Sequence, residues 1–399
     1  MARRQRPDVA VVGGGVVGSS CALALAGLGL EVVLVEASEP PRWSRGHADL
    51  RVYAFAPDNA AMLEDFGVWA SVLQRDADTQ APNAQPYRRM RVWDAAGGGE
   101  LVFDADAFGR RELGWIVEHA LLVDRLWAAL PRAGVGVRMA RVVELQQDAA
   151  TGVILRLDDG TRLEARIAIA ADGADSTLRG LAGLDVQAHE YAQRGVVAYV
   201  DTALPHEDTA WQRFLPGGPL AFLPCADGSS SIVWTMPDAQ AQRVLALDEA
   251  AFARELTHAF GARLGEAKPL SRRVAFPLRR QLAQSYVADR VLVLGDAAHV
   301  VHPLAGQGVN LGLRDVAALR DAIADAQHRN ADWTAPQRLA RWARARKSEN
   351  AAAAYAFDGL NRLFSNDAVA ATLLRGPLLG IAGRLRPFTH ALWRRAAGV

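Results

Sequence analysis

Near its start the chain carries four consecutive apolar residues, Val9 to Val12, which is typical of a strand buried on both faces of a parallel sheet. Glycines in G-x-G-x-x-G spacing follow at once, at Gly13, Gly15 and Gly18. An apolar helix over Cys21–Leu30 and a second apolar strand over Glu31–Val35 come next, and Glu36 stands at the end of that strand. The pattern predicts a strand, a glycine turn, a helix and a second strand.

Each glycine of this turn has its own physical reason. The first permits the tight turn, the second lets a pyrophosphate approach the backbone, and the third lets the helix pack closely on the strand. The helix N-terminus offers free N–H groups to phosphates, and Glu36, about 18 residues after the last glycine, can accept hydrogen bonds from a ribose. The segment predicts dinucleotide binding in preference to a purely structural turn, without saying which dinucleotide.

Helical patterns then alternate with antiparallel hairpins. The expected elements are a helix over 57–69, a hairpin between 87 and 107, a helix over 118–130, a strand over 135–141 and a hairpin formed by 142–147 and 152–157. Arg51 precedes the first of these helices. By position alone, contact with a ligand phosphate and an ordinary solvated or ion-paired side chain are equally good interpretations of Arg51.

The second half of the chain begins with an apolar strand that leads into Asp172 and Gly173 and then into a helix, a turn that is more often structural than functional. From Tyr191 to Trp234 the pattern favours strands separated by glycine and proline. A helix over Leu247–Phe260 follows, and the region as a whole predicts a second, β-rich domain that could cover a ligand.

A last strand, Val291–Leu294, leads into Gly295 and Asp296. The loop that follows carries two histidines and a glycine-rich stretch before a long helix to about residue 326, and its notable residues are His299, His302, Pro303, Gly306, Gln307 and Gly308. Glycines at a helix entrance again expose N–H groups. The two histidines invite a metal interpretation, but no further ligand lies at metal-site spacing, so we expect no metal.

Composition sets broader limits. A chain of 399 residues is long enough for two or three domains. The net charge of +1 gives no electrostatic reason to expect nucleic acid as a partner. Cys21 and Cys225 are the only cysteines, which suggests neither a disulfide framework nor a thiolate metal site and fits a reducing cytoplasm. No charge-free apolar stretch of about 18 residues is present, so we expect no membrane-spanning helix.

Several stretches together resemble the single-component FAD-dependent aromatic hydroxylases, the family typified by para-hydroxybenzoate hydroxylase. The glycine turn, Asp172-Gly173 and Gly295-Asp296 occur in the order of that family. Within it, the branch that hydroxylates ubiquinone precursors is resembled by LGWIVEHALL, ADGADSTLR, WQRFLPGGPLAFLP, SIVWTMP and GDAAHVVHPLAGQGVNLGLRD. The resemblance covers nearly the whole chain, and the last of these motifs is its most specific part.

The resemblance implies a role for each motif. The ADP half of FAD would be held by Gly13, Gly15, Gly18 and Glu36, with Arg51 near the pyrophosphate. Asp172 and Gly173 would contact FAD and the pyridine nucleotide, and Asp296 of the Gly295-Asp296 pair would bind the ribityl chain. The residues expected beside the isoalloxazine ring are Pro303, Gly306, Gln307 and Gly308.

Two positions depart from the family pattern. Many relatives carry a glutamine shortly after I-V-E-N, whereas this chain has His119 and Val123 in IVEHALLV, a change that could remove a side-chain contact to the flavin. Relatives also tend to carry A-L-S after the early arginine, where this chain has Ala54-Phe55-Ala56. Both departures bear on which individual substrate is used.

The resemblance also implies the activity: NADPH or NADH reduces the flavin, O₂ adds to give a C4a-hydroperoxyflavin, and its terminal oxygen hydroxylates a polyprenyl phenol or benzoquinol of ubiquinone biosynthesis. No residue stands out as a catalytic base. No second glycine fingerprint exists for the nicotinamide nucleotide, which we expect to bind transiently. A halogenase is disfavoured because the flavin halogenases, which resemble this architecture, need a lysine in the early part of the chain, whereas the first lysine here is Lys268. A flavin-dependent prenyl-lipid reductase and a flavin-binding scaffold subunit remain alternatives.

The fold class expected is α/β: a discontinuous Rossmann-like FAD-binding domain with an inserted β-rich substrate domain and C-terminal helices. The FAD-binding domain would comprise residues 1–75, 106–185 and 275–350, the substrate domain residues 76–105 and 186–274, and the tail residues 351–399. The tail mixes leucine, phenylalanine and tryptophan with arginines, so it could contact an anionic membrane or a partner of a ubiquinone-biosynthesis complex, or form an ordinary helix pair. The expected location is the cytoplasm, and peripheral contact with the inner membrane is left open.

Overall fold

The computed structural model describes residues 6–45, 49–77, 80–95, 97, 99–148, 152–302 and 308–364, together with 389–390, 393–394 and 397–398. Its strands are β1 (Val9–Val12), β2 (Val32–Glu36), β3 (Val52–Phe55), β4 (Gln85–Tyr87), β5 (Arg89–Asp94), β6 (Glu100–Asp104), β7 (Gly114–Glu118), β8 (Gly136–Met139), β9 (Val142–Asp148), β10 (Gly152–Leu157), β11 (Arg162–Ala165), β12 (Ile167–Ala170), β13 (Val186–Thr202), β14 (Thr209–Leu215), β15 (Gly218–Pro224), β16 (Ser230–Pro237), β17 (Ala267–Pro269), β18 (Val274–Ala283), β19 (Val287–Ala288), β20 (Val291–Val293) and β21 (His299–Val300). Its helices are α1 (Val16–Ala26), α2 (Pro57–Asp65), α3 (Trp69–Val72), α4 (His119–Ala129), α5 (Thr177–Leu181), α6 (Asp238–Ala246), α7 (Glu249–Ala259), α8 (Gly308–His328) and α9 (Pro336–Phe364).

A six-stranded sheet in the order β19-β20-β12-β1-β2-β8 carries the first glycine turn. Five of its strands run parallel, and β1 lies between β2 and β12 with Val9 opposite Val32 on one side and Ile167 on the other. All four residues of β1 and of β12 are buried, as their uninterrupted apolar runs require. The carboxyl ends of three neighbouring strands, β20, β12 and β1, therefore meet at one edge of the sheet.

A nine-stranded sheet forms the second large layer, in the order β21-β18-β13-β16-β15-β14-β5-β6, with β17 paired to β13. Its pairings are antiparallel except that β14 runs parallel to β5. The predicted strands between Tyr191 and Trp234 and the predicted hairpin between Tyr87 and Ala107 are confirmed. Two three-stranded antiparallel sheets, β11-β10-β9 and β3-β7-β4, complete the strand structure that the model describes.

Three predicted helices differ in extent from the structure. The helix predicted over Cys21–Leu30 is α1, which begins at Val16 and ends at Ala26. The helix predicted over 57–69 ends at Asp65, because the chain turns at Gly67 with a φ of +67°, and α3 starts afresh at Trp69. The helix predicted over 247–260 is α7, which begins at Glu249 and is preceded by α6. Asp248 caps α7 by accepting a hydrogen bond from the Ala251 amide at 2.7 Å.

Helix α9 is 29 residues long and runs across residue 350, where the sequence analysis places the start of the tail. The division into domains stays a prediction. Residues 365–388, about half of the tail, lie outside the described residues. Among the helices that are described, none combines the length and apolar character needed to cross a bilayer.

Candidate cofactor cleft

The first glycine turn is built by close backbone packing at two of its three glycines. A Cβ atom on Gly13, whose φ is +107°, would lie 2.3 Å from the Ala171 carbonyl oxygen, and one on Gly18 would lie 1.9 Å from the Gly13 carbonyl oxygen. Gly15 is different, because a Cβ there would meet no atom within 4 Å. The outer two glycines are therefore required by the fold, whereas the middle one leaves open space at the start of α1.

Gly14, between these glycines, is held by three side chains from other parts of the chain. Its amide donates to the Glu36 carboxylate at 2.5 Å, and its carbonyl accepts from Trp127 Nε1 at 2.7 Å and Ser19 Oγ at 2.9 Å. The other Glu36 oxygen accepts from the Ser38 amide at 3.0 Å. Each carboxylate oxygen of Glu36 thus has one backbone donor and one lone pair left for a ligand.

A cleft of about 530 Å³ opens in front of this turn. It brings together residues from all three predicted motifs, and its polar or glycine lining includes Gly13, Gly15, Glu36, Arg51, Tyr53, His119, Asp172, Gly173 and Asp296. Gly18 and Gly295 lie behind the lining, in the packing of the turns. Tyr53, which lines the cleft, is a residue that the sequence analysis did not single out.

Arg51 and Asp296 face each other across the cleft at 3.9 Å, with side chains 57% and 41% exposed. A pair this open to solvent contributes little to stability. The Arg51 guanidinium also lies 5.5 Å from the centre of the Tyr53 ring. Arg51 is therefore an exposed cation in the cleft lining that an anionic ligand can reach, but an exposed ion pair is also the setting of an ordinary solvated arginine, so its contact with a phosphate stays a prediction.

His119, the departure from the family pattern, sits at the start of α4 with its Nδ1 atom 3.0 Å from the Tyr53 hydroxyl. Burial and the charge of Arg51 lower the pKa of His119 to about 4, against the opposing effect of Asp49. At neutral pH His119 is uncharged, so it adds no second cation to the cleft. Its Nδ1 atom accepts a hydrogen bond from the Tyr53 hydroxyl or donates one to it, depending on the tautomer.

The Asp172 carboxylate is hydrogen-bonded to residues of its own turn. It accepts hydrogen bonds from Ser176 Oγ and, at 3.1 Å, from the Leu178 amide, while Ser176 caps α5 through the Arg179 amide at 3.0 Å. Asp172 lines the cleft and also organises the start of α5. Gly173 has a φ of +85° and open space around its Cα hydrogens.

Arg179 ties two of the motif turns together, a role that the sequence analysis missed. Its guanidinium donates to the carbonyl oxygens of Ala174 at 3.0 Å and Ala297 at 2.9 Å, and the side chain is 8% exposed. Gln281 donates to the same Ala174 carbonyl at 2.7 Å. The turn after β12 and the turn after β20 are thus cross-linked below the cleft.

The glycine-rich loop before α8 is only partly described. Pro303, Gly306 and Gln307 lie outside the described residues, and Gly308 is the first residue of α8, with no atom within 4 Å of where its Cβ would be. His299 does not point to a metal, since its Nε2 atom lies 2.6 Å from Asp315. The described part of the chain holds no group of three or more His, Cys, Asp or Glu side chains placed to bind a metal ion.

The sequence profile of the family described as FAD binding domain matches residues 6–353. The chain belongs to this family. The family confirms the cofactor expected from the sequence, FAD, and the expected class of FAD-dependent monooxygenases. The cleft fits such a cofactor, because the open space at Gly15 adjoins the amides at the start of α1 and a cation, Arg51, lies within the same lining.

Curated relatives cover most of the chain. Ubiquinone hydroxylase UbiL of Rhodospirillum rubrum is 36% identical over 98% of this chain and 89% of its own length. The 3-demethoxyubiquinol 3-hydroxylase of Escherichia coli is 37% identical over 87% of each chain. The human ubiquinone biosynthesis monooxygenase COQ6 is 32% identical over 92% of this chain and 87% of its own.

Solved structures share the fold at lower identity. The p-nitrophenol 4-monooxygenase PnpA from Pseudomonas putida superposes with a TM-score of 0.77 at 20% identity, covering 98% of both chains. PqsL from Pseudomonas aeruginosa superposes with a TM-score of 0.74 at 24% identity, covering 90% of this chain and 97% of its own. These similarities confirm the expected α/β fold class.

Proposed function

We propose that this protein is a hydroxylase of ubiquinone biosynthesis that uses FAD, NADPH or NADH, and O₂ to add a hydroxyl group to the aromatic ring of a polyprenyl phenol or benzoquinol. The observation that carries the proposal is 36% identity, over 98% of the chain, to a protein named ubiquinone hydroxylase. The similarity to a 3-demethoxyubiquinol 3-hydroxylase supports the same substrate class. Neither relative fixes the ring position for this chain.

We assign the cofactor's ADP half to the first glycine turn. The amides at the start of α1, next to the open position of Gly15, would hold the pyrophosphate, and the remaining lone pairs of Glu36 would accept from the ribose hydroxyls. Arg51 would neutralise phosphate charge, and Asp296 would hold the ribityl chain. Bound FAD supplies the electron-transfer and oxygen chemistry, for which the protein provides binding, orientation and exclusion of water.

Two apolar clusters of described residues meet at Phe357 of α9. Val301 and Leu311, on either side of that loop, pack with Ala354 and Phe357 of α9. Phe357 also packs on the cluster of Val92, Leu101 and Phe214 from the large sheet. We propose that the isoprenoid chain of the substrate lies against these apolar side chains.

For the location of the protein we propose peripheral contact with an anionic membrane surface. Leu360 and Leu363 near the end of α9 are 45% and 42% exposed, and they lead into a segment rich in arginine and leucine. Trp393, which the sequence analysis counted with this surface, packs elsewhere. Its ring stacks on Phe108 with 4.5 Å between ring centres and is 8% exposed, so it is not available to lipid.

The membrane proposal is tested by sedimentation with vesicles of phosphatidylglycerol and phosphatidylethanolamine, compared with vesicles of phosphatidylcholine alone. We expect salt-sensitive binding to the anionic vesicles, which weakens when Arg375, Arg384 and Arg386 are replaced by glutamine. If the wild-type protein stays in the supernatant with the anionic vesicles, as much as the glutamine variant does, this contact is excluded.

The hydroxylase proposal is tested by the absorbance spectrum of the purified protein and by NADPH oxidation in air with and without a short-chain prenylphenol. A flavin spectrum, phenol-stimulated oxidation and a product heavier by one oxygen atom are expected. Bound flavin with reduction of a prenyl double bond would point to the reductase, and bound flavin without stimulation by any phenol would point to the scaffold subunit.

A further inference from the structure

Asp315 is a fully buried carboxylate in the middle of α8, and both of its oxygens are saturated with hydrogen bonds. One oxygen accepts from the Gly295 amide at 3.1 Å and lies 2.6 Å from His299 Nε2. The other accepts from Arg346 Nε at 2.8 Å and from Asn350 Nδ2 at 2.8 Å. The carboxylate thus joins α9, through Arg346 and Asn350, to the turn that follows β20.

Four donors on one carboxylate offset the cost of burying its charge. Burial alone would raise the pKa of Asp315, but the interactions with His299 and Arg346 outweigh it and hold that pKa below its ordinary value. Arg346 is 5% exposed and Asn350 is fully buried, so both partners are also shielded from water. At neutral pH the cluster contains an ionised aspartate that no water molecule needs to solvate.

The turn held by Asp315 is the one that presents Asp296 to the cleft. Gly295 has a φ of +59°, and a Cβ there would lie 3.1 Å from Val17 of α1. Gly312, one turn before Asp315 on α8, packs against the same glycine, since its own Cβ would lie 3.0 Å from the Gly295 Cα atom. The turn therefore lies between two helices, and the Gly295 amide is fixed by Asp315.

We infer that Asp315 is a positioning residue for the cofactor: by fixing the Gly295 amide it sets the place of Asp296, and it links the packing of α9 to FAD affinity. The inference rests on the proposed assignment of Asp296 to the ribityl chain. Among the described residues, the hydrogen-bond partners of Asp315 include none that we assign to a phosphate or to the substrate. Its effect on FAD therefore passes through the turn and not through a direct contact.

The test is a double-mutant cycle on FAD affinity, measured with the FAD-stripped full-length protein by quenching of flavin fluorescence. Asp315→Asn keeps the shape of the side chain but has a single acceptor oxygen, so it cannot serve Arg346 and the Gly295 amide together. We expect Asp315→Asn and Asp296→Ala each to raise the FAD Kd about 10- to 100-fold, and the double variant to be no weaker than Asp296→Ala alone within about 3-fold.

Asp358→Asn is the matched control. Like Asp315 of α8, Asp358 of α9 is a buried aspartate, 4% exposed and paired with an arginine, Arg280, but it contacts no residue of the Gly295 turn among those described. Its effect on the FAD Kd should multiply with that of Asp296→Ala. Should Asp315→Asn not fold, Asn350→Ala removes one donor from the far oxygen and should give a smaller loss that Asp296→Ala again cancels.

The outcomes separate the two claims. If Asp296→Ala leaves the FAD Kd unchanged, the ribityl assignment is wrong and the inference falls with it. If Asp296→Ala weakens FAD but its effect multiplies with that of Asp315→Asn, the assignment stands and the positioning role is overturned. A cycle in which the effects cancel, with Asp358→Asn multiplying as expected, supports the inference.

Discussion

Replacing Gly15 by valine should remove FAD binding while leaving the protein folded. Gly15 has φ −69° and ψ −174°, a conformation that any residue adopts, and a Cβ there meets no protein atom within 4 Å. Gly15 is the N-cap of α1 without a side-chain cap, and valine is a poorer N-cap than glycine, so a loss of about 1 kcal/mol in the free energy of unfolding is expected.

The loss of FAD affinity should be much larger. The valine side chain would occupy the space that the pyrophosphate needs next to the amides at the start of α1. A hydrogen bond to a charged group contributes about 1.5–3 kcal/mol, so loss of two gives about 3–6 kcal/mol, or roughly 10²- to 10⁴-fold in Kd. The FAD Kd from fluorescence quenching and the melting of the FAD-free protein by circular dichroism measure both effects.

Gly18→Ala provides the contrast within the same motif. Its Cβ would lie 1.9 Å from the Gly13 carbonyl oxygen, so the smallest possible side chain should destabilise the FAD-free protein by at least about 3 kcal/mol. Wild-type FAD affinity in Gly15→Val would refute the proposed pyrophosphate site. Unfolding of Gly15→Val to the same degree as Gly18→Ala would refute the claim that the two glycines have different roles.

Three further changes test the surroundings of the cleft. Trp127→Phe keeps a smaller aromatic ring but loses the 2.7 Å hydrogen bond to the Gly14 carbonyl and part of the packing of the indole, so urea unfolding should show a loss of at least about 1 kcal/mol. Burial lowers the pKa of His302 to about 4, below its ordinary 6.5, so the unfolded state binds the proton first and stability should fall by up to about 3 kcal/mol between pH 6.5 and pH 4. His302→Asn should remove the share of this pH dependence that comes from His302 and leave the share of His119, whose pKa is lowered in the same way. An unchanged profile would exclude His302 as a source. Trp393→Ala should cost about 3 kcal/mol, whereas exposed Arg394→Ala should change the unfolding free energy by less than about 0.5 kcal/mol.

Local patterns in the sequence account for the parts of the fold that are set by neighbouring residues. The first glycine turn, the two hairpins and the strand before Gly295 follow from apolar runs and turn residues within about ten positions. The helix that ends at Asp65 is shorter than the apolar pattern predicts, because apolar residues continue to Trp69 whereas the chain takes a left-handed turn at Gly67.

The contacts that hold the cleft together join residues far apart in sequence, so spacing could not reveal them. Trp127 reaches Gly14 from α4, and Arg179 reaches Ala297 from α5. Asp315 is the exception, because the sequence places it four residues from Leu311 and four from Leu319, on the same buried face of α8. An unpaired charge on that face would be costly. This position indicates that Asp315 has a buried partner, but it does not show that the partner is the turn carrying Asp296.

The three motif turns owe their meeting to strand order. Gly13 follows β1, Asp172 follows β12 and Gly295 follows β20, and these strands are neighbours in one parallel sheet, so their carboxyl ends open on the same cleft. Each turn is also held by a hydrogen bond from a distant side chain. Trp127 donates to the first turn, and Arg179 donates to a carbonyl oxygen in each of the other two. Asp315 connects the third turn to α9, since it accepts hydrogen bonds from the Gly295 amide and from Asn350. We therefore expect a substitution at Asn350 to change FAD affinity without touching the cleft. If Asp315 positions Asp296 as we infer, the affinity for FAD depends on the packing of α9 as well as on the residues that line the cleft.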